Sequence, residues 1–353
     1  MKTFAGIILF ICCSTVCMAA YNVQSCYKFW DITEMLRKGT LPSDADWSAL
    51  KQSEGYKRKN IPDARWKEFV DNVILVYSAG NEEKIREKMG NDISLRWIVR
   101  FATEEDKLKR YIADIAKTDL MDIALVHTRR MLPQSYKNCF PEPTVYFILF
   151  DYDANGNSNG VVMDLLVSFD MDTYKPGIFL GHEVFHYALA YCRIKLKRFK
   201  YIPEQYAAVF TSINAISEEG TADLIDKASL LFEQHSPYLL KDTFFNIYTS
   251  QSTACILKIN ETLEHLSDKQ IEPYTQYNYW RQFMPVSGHI PGLFMSNVIR
   301  QRNLENELQA NLSNPFSFFY LYNEAAKKDT TGLPMFSKKS IRFLRSLEHR
   351  YLK

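Results

Sequence analysis

A chain of 353 residues with 46% hydrophobic, 24% charged and 14% aromatic residues, and only 13 Gly and 13 Pro, can bury a sizeable core. That composition excludes a collagenous, low-complexity or disordered protein. Lys and Arg total 43 against 41 Asp and Glu, and a net charge of +2 leaves no electrostatic footprint for nucleic acid.

Residues 1–20, MKTFAGIILFICCSTVCMAA, carry Lys2, then no further charge, and end on the small residues Ala19 and Ala20. This reads as a signal peptide cleaved near Ala19 or Ala20, which predicts a secreted, periplasmic or cell-surface protein. Membrane contact is expected only through an uncleaved N-terminus, a lipid anchor on Cys26, or the basic C-terminal tail from Lys338 to Lys353. Cys26, Cys139, Cys192 and Cys255 remain after the leader, an even set that suits one or two disulfides or four buried thiols.

Residues 21–140 read as a helical lobe. ARWKEFVDNVILVYS, NEEKIREKMG and the long stretch from Leu95 to Leu132 repeat apolar residues at three and four. Pro133, Pro141 and Pro143 end the pattern. Thr144–Phe150 and Val161–Phe169 are then β-branched and aromatic runs around the turn-forming tract DYDANGNSNG, which predicts an antiparallel hairpin over about 144–169. Within that tract Asp151, Asp153 and Asn155 imitate the opening of a calcium loop, but Val162 stands where the twelfth-position carboxylate belongs, and a plain hairpin turn is the simpler reading. Helical spacing returns at 178–193, 204–231, 253–267, 291–304 and 315–327. The expected class is α+β, predominantly helical, with the small antiparallel sheet packed beside the helix of 178–193, both within a second region spanning 141–353.

The chemistry is concentrated in Gly181-His-Glu-Val-Phe-His186. On a helix, residues four apart share a face, so His182 and His186 can reach one metal ion. Glu183, one residue on, is turned toward a water on that metal and suits a general base. A hydrolytic zinc site needs a third protein ligand and an open position. Glu219 and Asp223, in Ser217-Glu-Glu-Gly-Thr-Ala-Asp223, are again four apart, so one can bind metal while the other takes the free ring N–H of a ligand histidine. Glu218, Asp226 and His235 are rival third ligands. Glu219 ranks first because only it is followed by aspartate at the fourth place.

HEVFH followed by EEGTAD resembles the gluzincin metallopeptidases of the thermolysin-like clan, and secreted bacterial proteins classed as zinc-dependent peptidases without a defined substrate. The resemblance covers about 80 residues, from the hairpin through Asp226. It implies a Zn2+ ion on His182, His186 and Glu219, with Glu183 as base and Asp223 behind a ligand. The helical N-terminal half and the wider spacing between His186 and Glu219 depart from thermolysin. Gluzincins commonly supply His or Tyr downstream for the oxyanion. Here Ser287-Gly-His289-Ile-Pro-Gly offers His289 at a helix start, outside the ligand set, with Tyr274, Tyr277 and Tyr279 as competitors.

The expected function is a secreted zinc peptidase acting on peptide or protein substrates with one zinc per chain. A zinc hydrolase of a non-peptide amide or ester stands beside it, as does a surface binding protein whose motif is structural.

Overall fold

The computed structural model describes residues 21–115, 117–196, 201–232 and 244–352. The leader read in residues 1–20 and the rival ligand His235 lie outside the described residues. Eight helices, from α1 (Gln24–Arg37) to α8 (Leu120–Met131), build the N-terminal part. Their apolar stripes turn inward: α1 buries Cys26, Phe29, Trp30, Thr33 and Leu36 at helical spacing. From α3 (Glu54–Lys59) the Tyr56 hydroxyl donates to the Leu149 carbonyl at 2.7 Å, tying this layer to the sheet.

The sheet has four strands, β1 (Tyr21–Asn22), β2 (Val145–Ile148), β3 (Ala154–Asn157) and β4 (Gly160–Asp164), in the order β1-β2-β4-β3. It is mixed, not an antiparallel hairpin over 144–169. β2 runs parallel to β4 with Val145 opposite Val161, and the tract expected to be a loop supplies β3, antiparallel to β4. The second apolar run also ends as strand at Asp164. Asp164 Oδ1 accepts the Leu166 amide at 2.9 Å and caps α9 (Leu165–Tyr174). Leu165, Leu166, Val167 and Ser168 are all buried, and an apolar run buried on every side carries no periodicity to tell helix from strand. The calcium-like carboxylates are held by cations. Lys59 Nζ lies 3.2 Å from Asp151 and 3.0 Å from Asp153, and Arg65 of α4 (Asp63–Tyr77) lies 3.3 Å from Asp151.

The remaining helices are α10 (Ile178–Leu196), α11 (Glu204–Ala222), α12 (Lys227–Phe232), α13 (Asn246–Ser267), α14 (Tyr277–Arg281), α15 (His289–Gln301), α16 (Glu305–Ala310), α17 (Pro315–Lys327) and α18 (Lys338–Tyr351). The helix expected over 204–231 breaks at 223–226. One apolar cluster unites the N-terminal helices, the sheet and α10, and a second unites α11, α13, α15, α17 and α18. Cys26, Cys139, Cys192 and Cys255 are thiols rather than disulfides. Among the described residues no helix is long and apolar enough to cross a membrane.

Candidate metal centre

Helix α10 is apolar on almost every side and buries Leu180, Val184, Phe185, Ala188 and Leu189. Any polar group it carries must therefore find partners inside the protein. Thr128 of α8 donates to the Gly181 carbonyl at 2.9 Å. On the other side β3, the edge strand of the sheet, lies across the turn that carries Glu183 and His186. A Cβ at Gly156 of β3 falls 2.0 Å from the Glu183 carbonyl oxygen, so only glycine allows this approach.

On this helix His182 Nε2 and His186 Nε2 stand 3.1 Å apart. From α11, Glu219 brings its Oε2 to 3.2 Å from His186 Nε2 and 3.6 Å from His182 Nε2. His289, at the start of α15, places its Nε2 3.2 Å from the same oxygen. Two glycines let α11 and α15 meet backbone to backbone. A Cβ on Gly220 falls 2.4 Å from the Gly292 carbonyl oxygen, and one on Gly292 falls 2.5 Å from that of Ile216. One glycine follows Glu219 and the other lies a helical turn after His289.

Behind these groups stands a layer of charge. Asp226 Oδ1 accepts from His182 Nδ1 at 2.9 Å, and both oxygens of Asp223 accept from His289 Nδ1, at 2.9 and 3.1 Å. Lys227 joins the two aspartates, its Nζ 2.9 Å from Asp223 and 3.3 Å from Asp226, and lies over the Phe244 ring. Burial works against the Lys227 ammonium, but the two carboxylates hold it above its ordinary value. Burial likewise depresses His182, but Asp226 outweighs it and pushes the imidazole up to about 10. Glu219 is raised by burial yet held well below the usual carboxylate range by His289, His186 and His182. Glu183 is pushed up by burial against the opposing pull of His182 and His186. The pocket favours positive charge at the point where the imidazoles converge.

A metal ion fits that point. Glu219 Oε2 is buried and, among the described residues, accepts no hydrogen bond of good geometry, although three imidazole nitrogens surround it. His182 and His289 each hold Nδ1 against a carboxylate, which leaves Nε2 of each ring as the nitrogen facing it and able to bind a metal once deprotonated. Nitrogen and oxygen ligands at about 2.0–2.2 Å from a tetrahedral zinc lie roughly 3.3 Å from one another, close to the 3.1–3.6 Å measured here. Glu219, Asp223 and Asp226 against Lys227 leave two negative charges, which one divalent cation balances. One oxygen or nitrogen from each of His182, Glu219, Asp223 and His289 also falls within 4.8 Å of the others.

The structure brings His182, Glu183, His186, Glu219, Asp223 and His289 together, but distributes the outer roles differently from the sequence reading. Asp226, weighed as a rival ligand, takes the ring N–H of His182; Asp223 takes that of His289 and stays 3.7 Å from His182 Nδ1. The break after Ala222 turns Asp226 back toward α10. His289, expected outside the ligand set, has its Nε2 3.2 Å from Glu219 Oε2. Glu218 faces elsewhere, paired with Arg193 and accepting from Asn214 at 2.6 Å. Tyr274 stacks on His265, and Tyr277 is exposed. Lys227 went unnoticed, although its place four residues after Asp223 is the spacing of a helical ion pair. Gly220 and Gly292 carried no signal without knowledge of which helices touch.

Residues 46–331 match the family described as "Putative zinc dependent peptidase (DUF5700)". The chain belongs to this family. No curated relative and no solved structure matches it.

Proposed function

We propose that the chain is a secreted zinc peptidase in which His182, His186 and Glu219 hold one zinc ion and Glu183 is the general base. The observation that carries this reading is the convergence of imidazole nitrogens on a Glu219 oxygen that has no hydrogen-bond partner among the described residues, beside the buried Glu183 that follows His182 on α10. Secretion rests on the reading of residues 1–20, and peptide hydrolysis on family membership and on the likeness of HEVFH and EEGTAD to the gluzincins. When bound, zinc supplies a Lewis acid that acidifies water and polarises a carbonyl.

The chain's own groups do the rest. Asp226 fixes the tautomer of His182 and keeps its Nε2 lone pair turned inward. Glu183 takes a proton from the water that attacks the carbonyl carbon, and returns it to the departing amine as the C–N bond breaks, which regenerates the carboxylate. β3, paired on one side only, offers its free edge to an extended peptide directly above α10.

Glu183→Gln tests the reading, because it removes the base and spares every ligand. The variant should keep one zinc per chain by metal analysis and lose hydrolysis of a mixed-peptide library by several orders of magnitude. Cleavage that persists in Glu183→Gln, or that survives a chelator in the native protein, would overturn it.

A further inference from the structure

His289 is built like His182. In each, a carboxylate holds Nδ1 at 2.9 Å, and Nε2 is aimed at Glu219 Oε2, at 3.2 Å for His289 and 3.6 Å for His182. Held through Nδ1 by Asp223, the ring has Nε2 as its one remaining nitrogen, and that atom faces the same Glu219 oxygen as Nε2 of His182 and His186. The segment before it pins the ring in place: Val286, Ser287 and Gly288 all have left-handed φ, at 50°, 56° and 104°. Non-glycine residues keep such angles only where the surroundings impose them. The Gly220–Gly292 contact fixes the other side.

We infer that His289 is a fourth protein donor to the metal, so that the resting centre is three imidazoles and one carboxylate. The inference rests on the metal site proposed above but not on peptide hydrolysis. A centre with four protein donors is full, as in structural zinc sites. Water or substrate would then enter as a fifth donor or by displacing His289.

Two measurements on the full chain decide this without any substrate. X-ray absorption of the zinc-loaded native protein should count three imidazoles, and it needs no variant to fold; a count of two overturns the inference. His289→Ala should bind zinc more than about 100-fold more weakly, beyond the roughly 10- to 100-fold of losing an outer partner. Its cobalt-substituted form should shift its visible spectrum, because a water takes the place of an imidazole. Unchanged affinity and an unchanged cobalt spectrum, with only hydrolysis impaired, would return His289 to the oxyanion. A native chain that takes up no metal removes this inference together with the zinc reading, whereas three imidazoles on a chain that cuts no peptide leave it standing and sink the peptidase alone.

Discussion

Asp164 is fully buried at the junction of β4 and α9, where it accepts the Phe150 amide at 2.7 Å and the Leu166 amide at 2.9 Å. Burial outweighs these bonds and pushes its carboxyl up to about 7. An Asp in the unfolded chain titrates near 3.9, so the native state binds the proton more tightly. Its contribution to stability is therefore fully present below about pH 4 and is lost as pH rises through 7. Asp164→Asn, which keeps an acceptor for the Leu166 amide, should remove that slope. Urea midpoints of metal-free protein between pH 4 and 8 check this: the native chain should lose a few kcal/mol more than the variant across the window. Parallel curves would mean that Asp164 stays ionised throughout. At this scale much of the centre was legible in the sequence. His182 with His186 and Glu219 with Asp223 are four apart, and helix geometry alone puts each pair on one face. Which aspartate serves which histidine was not legible, because it depends on the direction the chain takes after Ala222.

Among the elements, the contact of α11 with α15 has the narrowest tolerance. Gly292→Ala places a methyl 2.5 Å from the Ile216 carbonyl oxygen and 2.7 Å from the Gly220 amide nitrogen, where only backbone is available to move. The helices must separate, at a cost of about 1–3 kcal/mol. Glu219 and His289 ride on those two helices, so zinc affinity should fall with stability. Gly90→Ala, with open space around its Cβ, is the control and should do neither. Denaturant unfolding and zinc titration of the two variants make the comparison; a Gly292→Ala protein with native affinity would show that the close contact does not position the site. The long helices of this half were readable from their spacing, though not the break at 223–226 or the short helices at Tyr277–Arg281 and Glu305–Ala310. The sheet was misread because β3, ANGN, is built from turn-forming residues. Its strand conformation comes from pairing with β4 and from Gly156 against α10, both long-range facts invisible to a local pattern.

At the scale of the whole molecule, the donors do not belong to one body of core. His182 and His186 stand on α10, inside the cluster shared with the N-terminal helices and the sheet, whereas Glu219 and His289 stand on helices of the C-terminal cluster. An ion joining His186 to His289 closes a loop of about 100 residues. A covalent link across a loop of that length removes chain entropy worth about 4–5 kcal/mol from the unfolded state. The centre is then a reversible cross-link, present only while metal is bound. Chelation should lower the melting temperature by several degrees with little loss of helical circular dichroism, since both apolar clusters remain intact. Glu219→Ala, left with three imidazoles, should show a smaller chelator-dependent shift than the native chain; equal melting of the native chain with and without metal would show that the two clusters are not coupled through the site. The stability of this chain would then report the free zinc concentration around it, and in a zinc-poor setting the chain would be more easily opened and degraded.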